Sequence, residues 1–408
     1  MSKFLQLALG ILAAIGGFVD IGDLVFNVEA GATFQYQLLW VVVVGVIGIV
    51  VYSEMCGRVA AVSGRPVFDA IRERLGFGFG LGALIASEVV NLMTLAAEVG
   101  GVALALQLLS GLPYRVLIVF GIVGLAIVIW VAPFEWIERI FGYGGLALLV
   151  FVVAAIKLHP DWGHVAHGFV PQMHASQPLV YAYFAIGLLG AAMTPYEVYF
   201  YSSGAVEDGW TPKDLGLNKV NSMLGYGLGG LLSFALMITA GALFFPLGIE
   251  PQFIGTVALG SQVPLGTIGL LLALIGILFA VGGAAIDTCF SGAYNLAQFF
   301  GWEWGKSRRP RDASRFTLAW IVLLVLALLV IMTGIDPVML TEYAVIFSVV
   351  ALPLTYIPLL LVANDKAYMG QYSNGRLANA FGLFYLVVIM VVALSAIPLM
   401  VLTHQGQG

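Results

Sequence analysis

Charged residues are scarce in this chain: Asp, Glu, Lys and Arg make up 10% of its 408 residues, where a soluble protein carries roughly a quarter. That shortage excludes a water-soluble globular enzyme. Cysteine is nearly absent, and Cys56 and Cys289 alone cannot build a disulfide framework. No Arg-rich stretch of the kind that binds nucleic acid is present, and a net charge of −5 is too small to point to an electrostatic partner. Histidine is missing from every long apolar run; His159, His164, His167, His174 and His404 all lie outside them. What remains is 61% hydrophobic, the composition of a polytopic membrane protein. A span of about 20 residues with its connection takes about 35, so the length holds about 11 or 12 helical spans and leaves no room for a separate soluble domain.

Apolar runs separated by clusters of Gly, Pro and charge define eleven spans, near 4–33, 36–56, 77–110, 114–132, 140–158, 179–206, 220–246, 265–300, 316–334, 341–363 and 378–402. The first is not read as a cleavable signal peptide, because its apolar stretch is too long and carries Asp20 and Asp23. With the N-terminus inside, every Lys and Arg except Arg115 and Lys157 falls in a cytoplasmic segment. That is the bias the positive-inside rule demands. An odd number of spans then puts the tail from His404 to Gly408 outside.

A carboxylate at mid-bilayer costs about 2.5–3.5 kcal/mol, so acids inside spans are candidate functional groups. They are Asp20, Asp23 and Glu29 in span 1, Glu88 and Glu98 in span 3, Glu197 in span 6 and Asp287 in span 8. Around Glu88 and Asp287 no other polar signal gathers, so a contact between helices is the simpler reading there. In span 1 the acids follow Gly16-Gly17 and enclose Gly22; in span 6, Gly190 leads through Met193-Thr194-Pro195-Tyr196 to Glu197. Glycine weakens a helix and proline removes a backbone donor, so both spans are expected to break near their middles. They lie five spans apart and therefore run in opposite directions. This predicts inverted repeats over 1–158 and 179–363, with 378–402 as an additional span, and interrupted helices at matching positions point to a transporter's midplane site.

The donors at the two breaks are oxygens: the Asp20 and Asp23 carboxylates, the Thr194 hydroxyl and freed carbonyls. Such a set suits Mg²⁺, Mn²⁺ or Ca²⁺, and two carboxylates neutralise one divalent cation. Met193 is the exception, because a turn displaced by one residue would present its thioether instead. Glu197 lies one turn after Thr194. The pair His164 and His167 has helical metal-ligand spacing, but Gly163 and Gly168 argue for a solvated loop.

At these positions the sequence resembles the Nramp family of proton-coupled divalent metal transporters over nearly its whole length. Asp20-Ile21-Gly22-Asp23 stands where that family's first helix reads Asp-Pro-Gly-Asn, and Thr194-Pro195-Tyr196 where its sixth reads Met-Pro-His. Glu98 with Ala103-Leu104-Ala105-Leu106 is similar to the third helix, whose earlier acid is here Leu95. Pro353, Pro358 and Asn364-Asp365-Lys366 look like the end of the tenth, whose glutamine is here Ala351, and Arg311 and Arg315 resemble the basic entry to the ninth.

The resemblance implies an all-α LeuT-like fold of about 11 transmembrane helices in a 5+5 inverted repeat, with discontinuous helices 1 and 6. It implies alternating access, a divalent metal cation as substrate, no cofactor and no obligate protein partner. Asp20, Asp23, Thr194 and Met193 are then the metal-ligand candidates, with Glu98, Glu197, Arg311 and Arg315 the candidate proton relay. Gly22, Pro195, Tyr196 and Ala351 shape or gate the site. Replacement of Asn, Met and His by Asp23, Thr194 and Tyr196 shifts the donor set toward oxygen and favours Mn²⁺ or Mg²⁺. Coupling is left open between a carboxylate relay and voltage-driven uptake. The compact chain fits a bacterial inner membrane. An organic cation or amino acid carried on the same scaffold, or a metal sensor that does not transport, are the alternatives. A catalytic pair of intramembrane acids is disfavoured, because its Gly-x-Gly-Asp pattern has Asp20 at the first glycine.

Overall fold

The computed structural model describes residues 19–171, 177–249, 251 and 254–406, and among them every regular element is a helix. In chain order the α-helices are α1 (Ile21–Phe34), α2 (Leu39–Ser63), α3 (Val67–Ser110), α4 (Tyr114–Val131), α5 (Phe134–Gly145), α6 (Val150–Lys157), α7 (Trp162–His167), α8 (Pro178–Ala192), α9 (Pro195–Glu207), α10 (Leu215–Leu243), α11 (Ile254–Phe300), α12 (Ser314–Met332), α13 (Pro337–Asn364), α14 (Lys366–Met369) and α15 (Arg376–Leu402). A 3₁₀ turn at Leu146–Leu149 joins α5 to α6 into one span. Ten stretches among the described residues are long and apolar enough to cross a membrane. They correspond to the second through eleventh expected spans.

The first span is described only from Val19, so Gly16 and Gly17 lie outside the described residues. Helix α1 begins immediately after Asp20. It has 14 residues, about 21 Å at 1.5 Å per residue, too short to cross a hydrocarbon core of about 30 Å alone. The sixth span is two helices, as its Gly and Pro content predicts: α8 stops at Ala192 and α9 starts at Pro195. Pro195 takes the first helical position, where the missing N–H costs nothing.

Spans 3 and 8 differ from expectation in an instructive way. The sequence starts them at 77 and 265, while α3 and α11 begin at Val67 and Ile254. Gly76, at φ 82°, breaks α3, and Gly266, at φ 68°, breaks α11. This left-handed region is one that side chains other than glycine's rarely adopt. Each span is therefore preceded by a short helical arm, and the arms stand at matching positions, before spans 3 and 8. In the first arm Val67, Phe68 and Ile71 are buried while Glu73 and Arg74 face outward, an amphipathic pattern too short to register as a span.

Helices α3 and α11 run antiparallel along one seam: Thr288 meets Glu98, Gly292 lies against Asn91, and Phe299 meets Gly80. Helices α1, α8, α9 and α13 gather beside them. Close approach there requires small residues. Gly187 of α8 lies flat against the Phe26 ring of α1, where a β-carbon would collide with it. At the periphery, Phe120, Ile127 and Trp130 of α4 and Val387, Val391 and Leu394 of α15 stand exposed. Apolar surface on single helices at the rim of an otherwise buried bundle is the lipid-facing pattern. The His164–His167 segment corrects the loop expectation. It forms the short helix α7, because Asp161 caps it, accepting from Gly163 N at 2.8 Å and His164 N at 3.4 Å. His174 lies outside the described residues.

A candidate cation site at the broken helices

Asp20 is the N-cap of α1. Its Oδ1 accepts from Asp23 N at 2.9 Å, and its Oδ2 accepts from the Tyr196 hydroxyl at 3.0 Å. The carboxylate is 1% exposed and sits at the positive end of the helix dipole, which helps hold its charge. A small cavity opens on its other side, lined by Asp20 and Gly22 of the first break, Thr94 and Ala97 of α3, Thr194, and Thr341 and Ser348 of α13. Gly22 keeps the approach narrow, since a β-carbon there would fall 2.9 Å from Val345 and 3.1 Å from Asp20 Oδ1.

Ser348 Oγ and Glu98 Oε2, both buried near Asp20, make no hydrogen bond, and the Thr194 hydroxyl and the Glu197 carboxylate have no partner besides each other. Thr194 caps α9 without donating to or accepting from its backbone, and Glu197 at the third helical position interacts with the Thr194 side chain instead of closing a capping box. A buried polar group left unpaired costs about 1–3 kcal/mol. A set of such oxygens around one carboxylate is explained by something that binds them. Glu98 is anchored by its other oxygen, which accepts from Thr288 Oγ1 at 3.2 Å, and it lies within electrostatic reach of Asp20.

The two acids of span 1 are used differently. Asp23 turns toward α10, where its Oδ2 accepts from Ser233 Oγ at 2.7 Å and its Oδ1 from Asn27 Nδ2 at 2.7 Å. It does not line the cavity that Asp20 lines. Met193 turns away as well; its sulfur packs against Gly48 of α2 and lies beside Tyr385 of α15. Thr194 is therefore the residue of this pair that faces Asp20 in this conformation. Pro195 is buried at the start of α9, and Ala351 is buried on α13 one turn beyond Ser348. Arg311 and Arg315 are exposed at the start of α12, with Arg315 5.8 Å from the Trp302 ring. They are not brought to the site.

Sequence reading missed several contributors. Thr94, Thr341 and Ser348 line the cavity, and Asn27 and Ser233 hold Asp23. The solitary appearance of Glu88 is also corrected: Asn91 and Asn295 flank it, and Gly292 lies against both Glu88 and Asn91. Asn27, four residues after Asp23, and Asn91, three residues after Glu88, each share a helical face with an acid and so carry a local spacing signal.

Comparison with known proteins fixes the lineage. The sequence pattern described as "Natural resistance-associated macrophage protein-like" matches residues 10–398. The chain belongs to the Nramp family. Among its relatives, the divalent metal cation transporter MntH of Deinococcus radiodurans is 27% identical over 405 residues, covering 94% of this chain and 87% of that protein. MntH of Aeromonas hydrophila is 27% identical over 423 residues, covering 97% and 95%. Among solved structures, a manganese transporter of Eremococcus coleocola bound to an aromatic bis-isothiourea compound superposes with a TM-score of 0.76 at 20% identity, covering 98% of this chain and 88% of that one. Mhp1, a nucleobase-cation-symport-1 family transporter in a closed conformation, gives 0.64 at 18% identity, covering 96% and 91%. At these identities the structural likeness speaks for the fold. This Nramp chain thus shares its bundle with transporters whose substrates differ widely, and its cargo has to be argued from the site.

Proposed function

We infer that this Nramp protein carries a divalent metal cation across the membrane by alternating access, and that Asp20 is its principal ligand. One observation carries the reading: the Asp20 carboxylate faces a buried cavity together with the hydroxyl of Thr194 and the unpartnered hydroxyl of Ser348. All three donors are hard oxygens from three different helical segments, the arrangement a cation needs if moving those segments is to release it. The naming of its relatives as divalent metal cation transporters supports the same cargo. Mn²⁺ is the first ion to test. Mg²⁺ is its rival, because a site with one carboxylate and neutral hydroxyls suits an ion that keeps part of its water shell.

The two halves are read as inverted repeats over 1–158 and 179–363, with 378–402 added. The matched breaks at Asp20 and Thr194 and the matched arms before spans 3 and 8 support this. The N-terminus is assigned to the cytoplasm and the C-terminus to the outside, in a bacterial inner membrane. Proton coupling is proposed to be partial or absent. Leu95 replaces one acid of the third helix and Tyr196 replaces the sixth-helix histidine, and Tyr196 donates to Asp20 instead. An interior-negative potential supplies about 4.6 kcal/mol per 100 mV to a doubly charged ion, enough to drive uptake without a proton.

Equilibrium binding tests the site. Purified wild-type protein is expected to bind one Mn²⁺ that Mg²⁺ displaces, and Asp20→Ala to bind none there. Equal binding by the folded variant would overturn the assignment. For coupling, metal-driven acidification of liposomes that disappears in Glu98→Gln would contradict the proposal.

A further inference from the structure

The two oxygens of the Asp20 carboxylate are committed in different ways. Oδ1 accepts from Asp23 N at 2.9 Å, a bond that belongs to the cap of α1 and turns with it. That oxygen lies beside Gly22, which lines the cavity, and its second lone pair is left for an ion. Oδ2 accepts from the Tyr196 hydroxyl at 3.0 Å, across the gap between the first break and α9.

Tyr196 is held where it is by its own helix and by a neighbour. It follows Pro195 at the start of α9, and Ser291 Oγ of α11 donates to its carbonyl at 3.0 Å. It is 1% exposed, and it does not line the cavity that Asp20 shares with Thr194 and Ser348. The oxygen it holds is therefore drawn out of the cavity, toward α9. Turning both carboxylate oxygens toward an ion would break this bond.

That constraint separates ions of equal charge. Ca²⁺ takes about six to eight oxygen ligands and readily chelates a carboxylate through both of its oxygens. Mg²⁺ takes about six in a strict octahedron, keeps several waters and is satisfied by one oxygen of a carboxylate. We propose that Tyr196 is a specificity-determining positioning residue, which holds Asp20 Oδ2 so that the carboxylate offers the cargo one oxygen, admitting Mg²⁺ and Mn²⁺ and disfavouring Ca²⁺. The inference rests on the reading of Asp20 as the cation ligand. Tyr196 acts through Asp20 and touches no ion. Thr194 and Ser348 add neutral hydroxyls, water completes the shell, and the ion that needs chelation has to break a bond that the others keep.

Competition for bound Mn²⁺ on the purified full-length protein tests this with Tyr196→Phe, which removes the hydroxyl and keeps the ring. Mg²⁺ is expected to compete better than Ca²⁺ in the wild type. In Tyr196→Phe the affinity for Ca²⁺ is expected to rise about tenfold relative to that for Mg²⁺. An unchanged ratio, in a variant that elutes and melts like the wild type, would overturn the proposal and leave the Asp20 reading intact. Failure of the wild type to bind any divalent cation would instead remove the Asp20 reading, and this inference with it. Should Tyr196→Phe not fold, infrared difference spectra of wild-type protein carrying isotope-labelled aspartate decide. The antisymmetric and symmetric carboxylate stretches lie far apart when one oxygen binds a metal and close together when both do. A wide separation on adding Mg²⁺ or Mn²⁺ is expected, and a narrow one would refute the role of Tyr196.

Discussion

At the scale of single residues, the account rests on which atoms face the cavity. Thr194 presents a hydroxyl where a family methionine would present sulfur, and Met193 buries its own sulfur against Gly48. Thr194→Met is therefore expected to move preference toward softer ions, with Cd²⁺ gaining about tenfold over Mg²⁺, some 1.4 kcal/mol. Competition binding would show it; an unchanged ratio would mean that Thr194 is not a ligand. Asp23 has a different role, held by Ser233 and Asn27. Ser233→Ala removes one hydrogen bond to a carboxylate, worth about 1.5–3 kcal/mol, and should lower the melting temperature more than it lowers cation affinity. The reverse pattern would make Asp23 a direct ligand in this state. Asp20 and Thr194 were legible because acids, glycines and a proline inside apolar runs violate membrane rules. Thr94, Thr341 and Ser348 were not, because isolated hydroxyls are common in apolar helices and satisfy themselves on a neighbouring carbonyl, as Thr341 does on Pro337.

At the scale of elements, the breaks matter more than the helices. The sequence placed the starts of spans 3 and 8 at 77 and 265, beside the kinks at Gly76 and Gly266, because hydropathy changes where the chain turns. The arms themselves escaped notice. Val67 to Leu75 is amphipathic and Ile254 to Leu265 is apolar, and neither has a span's length. Helix packing carries a second constraint. Gly187→Ala puts a methyl into the Phe26 ring, and overpacking of this kind costs about 1–3 kcal/mol. The variant is expected to melt earlier, and Gly187→Ala with Phe26→Leu to recover part of the loss. Lack of any recovery would show that the contact does not set the spacing of α1 and α8.

At the scale of the whole molecule, the assigned orientation follows from where lysine and arginine fall, an argument about membrane insertion that a bundle of helices does not itself express. Cys56 and Cys289 are both fully buried, which leaves a quiet background for single-cysteine labelling. Ser307→Cys, on the basic segment beside Lys306, should react with an impermeant thiol reagent only after cells are opened, and His164→Cys should react in intact cells. The opposite pattern would invert the topology. The central claim is that Asp20 binds a divalent cation that the protein transports. It is tested most directly by Mn²⁺ flux into liposomes containing the purified protein, with Mg²⁺ and Ca²⁺ as competitors and Asp20→Ala alongside. Saturable uptake in the wild type, abolished in Asp20→Ala, is the predicted result; no divalent flux from demonstrably folded wild-type protein, or undiminished flux in the variant, would contradict it.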